Sequence, residues 1–212
     1  YDMCLRPVEA ELAGARVLDL GCHNGRFTHA ALQAGAAHVT GVDFDREYVD
    51  AARAIVGAAF PPETHAFEVA DLTAFLQRAE PRYDVVLCLG VLYHSLNAFE
   101  ILRQCRRLEP KLVVVDCSVA TAGDPGPADA ATVPDLLDAP FRAACRDRRA
   151  FALTGLDVDG LWKTLPSEGL LEVWYEELGF AWERVQPDFG RYSAGVGDYK
   201  RGLRVSHWLR PA

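Results

Sequence analysis

Short apolar runs alternate with segments of helical periodicity through the first 117 residues of the chain. Apolar runs bounded by turn residues predict strands at 15–20, 38–42, 65–70, 84–89 and 111–117. Apolar positions at helical spacing predict helices at 26–34, 46–56, 72–78 and 96–108. Strands and helices that alternate with short connections form right-handed crossovers and one parallel sheet. The chain is therefore predicted to have an α/β fold.

The alternation stops after residue 117. Residues 121–131 are rich in Gly, Pro, Ala and Asp and predict a loop, whereas 134–150 has an amphipathic helical pattern. A helix is expected at 167–178, followed by strands at 180–185 and 203–208. Residues 118–166 are too long for a simple connection, and long connections are usually functional. We expect one domain over 1–212, with a core at 15–117, a lid or substrate-binding insert at 118–166 and a C-terminal helix with closing strands at 167–212.

The composition is that of an ordinary globular protein, with 50% hydrophobic and 25% charged residues. No apolar run approaches the roughly 20 residues that span a bilayer, so no membrane partner is expected. The formal net charge of −8 disfavours nucleic acid as a partner, because an acidic surface repels phosphates. No signal-peptide pattern is seen, but residue 1 is Tyr and not Met, so we expect the chain to be part of a longer translation product.

The cysteines and histidines suggest neither disulfides nor a metal site. The six cysteines form no C-x-x-C pair, and several lie in apolar strand patterns. We therefore expect reduced core residues of a cytoplasmic protein. The six histidines show no ligand-like spacing, so no metal is expected. The cysteines are Cys4, Cys22, Cys88, Cys105, Cys117 and Cys145.

Residues 17–28, VLDLGCHNGRFT, predict a strand, a tight turn and a helix, which is a common place for a nucleotide-like cofactor. A dinucleotide fingerprint G-x-G-x-x-G that starts at Gly21 needs glycines at 23 and 26. This chain has His23 and Arg26 there, so close approach of a pyrophosphate is disfavoured. A nicotinamide-dependent oxidoreductase remains a weaker alternative.

The pattern D-x-G-C-x-x-G-x-F in this segment resembles the first motif of class I S-adenosylmethionine-dependent methyltransferases. The resemblance covers residues 15–117 and continues only as a similar order of elements beyond them. It implies a Rossmann-like, doubly wound fold with a seven-stranded, mostly parallel sheet and helices on both faces. It also implies S-adenosylmethionine (SAM) as the cofactor, bound in the first motif by Asp19, Gly21, Cys22, His23, Asn24, Gly25 and Phe27.

Later strand ends extend this resemblance to the nucleoside part of the cofactor. Asp43 ends the second strand, where an acidic residue accepts hydrogen bonds from the ribose hydroxyls. The resemblance places Phe44 against the adenine, Asp71 at its amino group and Leu72 beside it. Simpler interpretations also stay open: Asp43 and Asp71 as residues that begin helices, and Phe44 as part of the core.

The segment YDVVLCLGVLYH, residues 83–94, corresponds to the end of the fourth strand. The resemblance places Leu89 and Gly90 over the methionine part of SAM and points the sulfonium toward Tyr93 and His94. Methyl transfer to a hydroxyl or ammonium needs a base, and histidine suits this role near neutral pH. His94 is therefore the candidate base and Tyr93 a second catalytic candidate. The alternative is that both residues pack at a helix start, with Ser95 and Asn97 as caps.

These observations favour a methyltransferase that acts on an oxygen or nitrogen of a small molecule, such as a bacterial secondary metabolite. CLGVLYH also resembles a branch that includes tRNA wobble-uridine modifying enzymes, but such a function needs a broad positive face. The chain has only one basic cluster, near the C-terminal end of the sequence, and such clusters more often form a solvated edge of the protein. A further alternative is a methyltransferase-fold protein that binds ligand without catalysis. The oligomeric state stays open, and a homodimer is one option. The cluster is Arg191, Lys200, Arg201 and Arg204.

Overall fold

The structure is a computed structural model that describes residues 3–121, 131–132, 152–156, 162–189 and 196–212. The strands are β1 (Arg16–Leu20), β2 (His38–Asp43), β3 (His65–Val69), β4 (Val85–Leu89), β5 (Leu112–Ser118), β6 (Ala131–Thr132), β7 (Ala152–Leu156), β8 (Trp162–Pro166), β9 (Phe180–Arg184) and β10 (Arg204–Pro211). The α-helices are α1 (Glu9–Leu12), α2 (Arg26–Gln33), α3 (Arg46–Gly57), α4 (Leu72–Arg78), α5 (Ala98–Arg107), α6 (Glu168–Glu177) and α7 (Gly197–Lys200). Short 3₁₀ turns lie at Arg6–Val8, Pro62–Thr64 and Leu92–His94.

The main sheet has seven strands in the order β3-β2-β1-β4-β5-β10-β9. Neighbouring strands from β3 to β5 pair in parallel, whereas β10 is antiparallel to both β5 and β9. The predicted seven-stranded, mostly parallel sheet is therefore confirmed. The strand order reverses between β1 and β4, and ligands of such folds bind outside the carboxyl ends of the strands at this point.

Helices cover both faces of the sheet, as predicted. Strands buried on both faces carry continuous apolar runs, and all five residues of β4 are buried. One core contains Leu18 together with residues of α4, α5 and α6. The other contains Val17 together with residues of α1, α2 and α3. Val17 and Leu18 enter different cores because successive side chains of a strand point to opposite faces of the sheet.

The helix that follows β4 begins later than its periodicity predicts, at Ala98 instead of residue 96. A 3₁₀ turn over Leu92–His94 occupies the first part of this connection. The Ser95 hydroxyl accepts a hydrogen bond from the Asn97 N–H at 3.0 Å. Asn97 stands at the N-cap position but its side chain makes no capping hydrogen bond, so its predicted capping role is wrong.

Parts of the long insert form a second, three-stranded antiparallel sheet of β6, β7 and β8. β8 contacts the turn over Leu92–His94, and the Ala120 N–H donates to the Pro166 carbonyl at 3.1 Å. The insert therefore reaches the carboxyl edge of the main sheet. The predicted helix at 134–150 lies outside the described residues.

Within the described ranges, no helix is long and apolar enough to cross a membrane. The cysteines of these ranges are all free and buried, which confirms that part of the cysteine prediction. Burial raises the pKa of Cys4 to about 11 and that of Cys105 to about 12, so both thiols are neutral near pH 7. Cys145 lies outside the described residues.

Candidate functional site

The turn after β1 needs glycine at two positions. Gly21 and Gly25 have φ angles of 68° and 79°, in the left-handed region that disfavours side chains. A Cβ atom on Gly21 would lie 2.9 Å from Cγ2 of Val91, and one on Gly25 would lie 3.0 Å from Cβ of Ala52. The two glycines therefore let this turn pack closely against Val91 and α3, at the place where the resemblance predicts the cofactor.

Asp19 holds this turn from the interior. It is 1% exposed, and its Oδ2 accepts a hydrogen bond from the Thr28 hydroxyl at 2.7 Å. Burial raises the pKa of Asp19 to about 6, although the bonds from Thr28 oppose the change. This contact joins the end of β1 to the first turn of α2. Among the other predicted residues of the motif, Cys22 is buried, while Asn24 and Phe27 are half-buried.

Asp43 at the end of β2 is held by backbone donors on both oxygens. The His23 N–H donates to its Oδ2 at 2.9 Å, and the Asp45 N–H donates to its Oδ1 at 3.0 Å. Each carboxylate oxygen has a further lone pair, so the group can also accept hydrogen bonds from ribose hydroxyls. Phe44 follows at the strand tip with 76% of its surface exposed, so it does not belong to the core.

Asp71 stands at the end of β3, and its Oδ1 accepts a hydrogen bond from the Ala74 N–H at 2.9 Å. The alternative role as a helix cap is therefore present, and the exposed carboxylate lies at the edge where the sequence predicts adenine. Leu72 next to it is half-buried and packs on the core.

The end of β4 is followed by the two residues predicted to be catalytic, Tyr93 and His94. Gly90 has a φ of 79°, and a Cβ atom there would lie 3.2 Å from Nη2 of Arg204 and 3.7 Å from the Tyr93 hydroxyl. Leu89 is buried directly before it. The rings of Tyr93 and His94 lie 4.3 Å apart at 41°, and His94 is exposed. Tyr93 thus lies beside the backbone that the resemblance places at the methionine part of SAM, and His94 contacts Tyr93.

A buried polar network that the sequence does not reveal lies next to Gly90. Asp116 near the end of β5 is 4% exposed and accepts from Nε of Arg204 at 2.6 Å, from the Ser206 hydroxyl at 2.5 Å and from the Tyr199 hydroxyl. Burial opposes the charge of Arg204, but the Asp116 carboxylate raises the pKa of the guanidinium strongly. Arg204 also lies 5.7 Å from the centre of the Tyr93 ring.

The favoured interpretation of the late basic cluster as a solvated edge is wrong for Arg204, whose side chain is only 23% exposed and paired with Asp116. It holds for Arg201, which is exposed and pairs with Asp198 at 2.6 Å. Exposed Lys200 lies 5.6 Å from the centre of the Phe189 ring. Arg191 lies outside the described residues.

Further aromatic residues divide between core and surface. Trp174 and Tyr175 of α6 are buried. Tyr48 of α3, which the sequence does not single out, stacks on His23 with ring centres 3.6 Å apart at 29°. Within the described part of the chain, no group of His, Cys, Asp and Glu is arranged to hold a metal ion.

The chain is similar to methyltransferases of several kinds. Residues 17–110 match a family described as a methyltransferase domain. The chain is 30% identical to the tRNA U34 carboxymethyltransferase of Pseudomonas aeruginosa over 174 residues, which cover 81% of this chain and 46% of that protein. It is 34% identical to the ubiquinone biosynthesis O-methyltransferase of Neisseria meningitidis over 102 residues, which cover 47% of this chain and 41% of that protein. The chain thus spans about half the length of the curated relatives it matches.

Solved structures show the same fold. A SAM-dependent methyltransferase from Mesorhizobium loti has a TM-score of 0.64 at 20% identity, with 96% of each chain covered. The magnesium protoporphyrin IX methyltransferase of Synechocystis PCC 6803 with bound S-adenosylhomocysteine has a TM-score of 0.62 at 18% identity, covering 97% of this chain and 78% of that one. Residues 17–110 therefore form a methyltransferase domain, and the sheet described above has the fold of the S-adenosylmethionine-dependent methyltransferases.

Proposed function

We propose that this chain transfers the methyl group of SAM to an oxygen or nitrogen of a small-molecule acceptor, such as a bacterial secondary metabolite. The observation that carries the small-molecule assignment is the pairing of Arg204 with Asp116 beside Gly90. Because the two charges cancel, this pair offers no net positive charge for a phosphate backbone. The overall charge of −8 supports the same conclusion.

The cofactor is proposed to bind along the ends of β1, β2 and β4. Asp43 would accept hydrogen bonds from the ribose hydroxyls, and exposed Phe44 would contact the adenine. Asp71 and Leu72 form the outer edge of the adenine site. The rest of the cofactor is proposed to lie against the first turn, which Gly21 and Gly25 shape through their positive φ angles and which carries the other residues of that motif. Leu89 and Gly90 cover the methionine part.

The bound sulfonium supplies an activated methyl group, and the chain supplies orientation and removal of a proton. We propose that His94 takes a proton from a hydroxyl or ammonium acceptor at this edge, and its exposure beside Tyr93 supports this role. Tyr93, under the Arg204 guanidinium, is placed to orient the acceptor. We also propose that the insert at 118–166 forms the substrate-binding side, since β8 contacts the turn that carries both residues.

Calorimetry with S-adenosylhomocysteine (SAH) tests the cofactor site. The wild type is expected to bind with micromolar affinity, and Asp43→Ala is expected to lose most of this affinity because the ribose hydroxyls lose their acceptor. Asp50→Ala removes an exposed carboxylate from α3 and serves as the matched control. Equal affinity of Asp43→Ala and the wild type would contradict the proposed placement.

A second candidate function is tRNA modification, which the 30% identity over 81% of this chain favours. Transfer from SAM with a labelled methyl group, offered separately to a small-molecule extract and to total tRNA, distinguishes the two. We expect the label in acid-soluble product. Label that precipitates with RNA and is released by ribonuclease would replace the small-molecule proposal. Tight SAH binding without transfer to either pool would indicate a silent binding subunit.

A further inference from the structure

His23 has a backbone conformation that its side chain disfavours. Its φ is 50°, in the left-handed region where residues other than glycine are uncommon. Such strain persists only where the surrounding structure holds the residue in place, and it is often found at ligand sites. A glycine at position 23 would adopt the same angle without strain. The chain instead has a histidine together with a partner that holds it.

That partner is Tyr48. Its ring stacks on the His23 ring at 3.6 Å, although Tyr48 is 42% exposed and adds little to the core. The Tyr48 N–H also donates to Oδ1 of Asp45, and the Asp45 N–H donates to Asp43. The stack is therefore built on the same junction between β2 and α3 that fixes the Asp43 carboxylate.

The strained residue supplies the second donor to that carboxylate. The His23 N–H donates to Oδ2 of Asp43 at 2.9 Å, so a shift of the turn would remove one of the two bonds that orient Asp43. We infer that Tyr48 is a positioning residue for the nucleoside end of the cofactor: its stack on His23 keeps the turn in the form that orients Asp43 for the ribose. This inference rests on the proposed placement of the cofactor.

A double-mutant cycle on SAH affinity tests the inference. Tyr48→Ala is expected to raise the Kd for SAH about three- to tenfold, which is the range of an aromatic pair. In the His23→Gly background, Tyr48→Ala is expected to have no further effect, because glycine needs no stack to adopt the turn. Tyr48→Phe keeps the ring and is expected to bind like the wild type. Ile55→Ala, a truncation of another exposed residue of α3, is the control.

A second ligand distinguishes an effect at the ribose from an effect at the amino-acid end of the cofactor. 5′-Methylthioadenosine keeps the adenine and ribose but lacks the amino-acid carboxylate, so Tyr48→Ala is expected to weaken its binding by the same factor as that of SAH. A loss seen with SAH alone would overturn the inference and indicate that His23 acts on the carboxylate. Melting temperatures of all variants within a few degrees of the wild type would confirm that binding, and not folding, has changed.

Two further results would overturn the inference. Equal losses from Tyr48→Ala in both backgrounds would show that Tyr48 acts without His23, and unchanged affinity would show that the stack has no role in binding. If Asp43→Ala binds SAH like the wild type, the proposed cofactor placement fails and the inference fails with it. If Asp43→Ala loses affinity while Tyr48→Ala does not, only the inference fails.

Discussion

Asp19→Asn should make the folded protein more stable at neutral pH. Burial raises the pKa of Asp19 from 3.8 to about 6, so between these values the folded protein binds more protons at this site than the unfolded chain. The free energy of unfolding must then fall as the pH rises through this window. Above it, the charged carboxylate costs about 3 kcal/mol relative to its protonated form. Asparagine keeps the acceptor for the Thr28 hydroxyl and carries no charge.

Urea denaturation at a series of pH values, followed by tryptophan fluorescence, measures this effect. The difference in free energy of unfolding between Asp19→Asn and the wild type should grow by about 3 kcal/mol from pH 3 to pH 7. The comparison removes the contribution of the other carboxylates, which both proteins share. Asp50→Asn, which changes an exposed carboxylate, should follow the wild type at every pH. Parallel curves for Asp19→Asn and the wild type would refute the reasoning.

Three further predictions concern the turn, the buried network and the base. Gly25→Ala should lower the melting temperature more than Gly14→Ala. Both glycines have a positive φ, but only a Cβ at position 25 would meet neighbouring atoms, at 3.0 Å. Asp116→Ala should destabilise by about 3–5 kcal/mol in denaturant titrations, since it leaves the Arg204 charge unpaired, and replacing both by Asn and Gln should recover part of the loss. His94→Ala should lower the methyl-transfer rate at least a hundredfold and leave the Kd for SAH unchanged; an equal loss of affinity would contradict its role as a base.

Local patterns predict most of the core because periodicity reports which faces of an element are buried. The apolar run at 84–89 predicts a strand covered on both sides, and β4 is buried at every residue. The periodic segment 46–56 predicts a helix, and α3 begins there with the Asp45 side chain accepting from two of its N–H groups. The start of α5 could not be predicted in this way, because the 3₁₀ turn over Leu92–His94 lies against β8, which comes from a distant part of the chain.

The sequence by itself determined the α/β class, the parallel core and the strand ends that form the candidate cofactor site. These depend on hydrophobic spacing and on glycines in a turn, which act over a few residues. Only the tertiary structure decided that Arg204 is neutralised by Asp116, 88 residues earlier, and that Tyr48 stacks on His23. Whether a charge is solvated or paired depends on which strands become neighbours. Here β10 lies antiparallel beside β5 and brings Ser206 opposite Asp116.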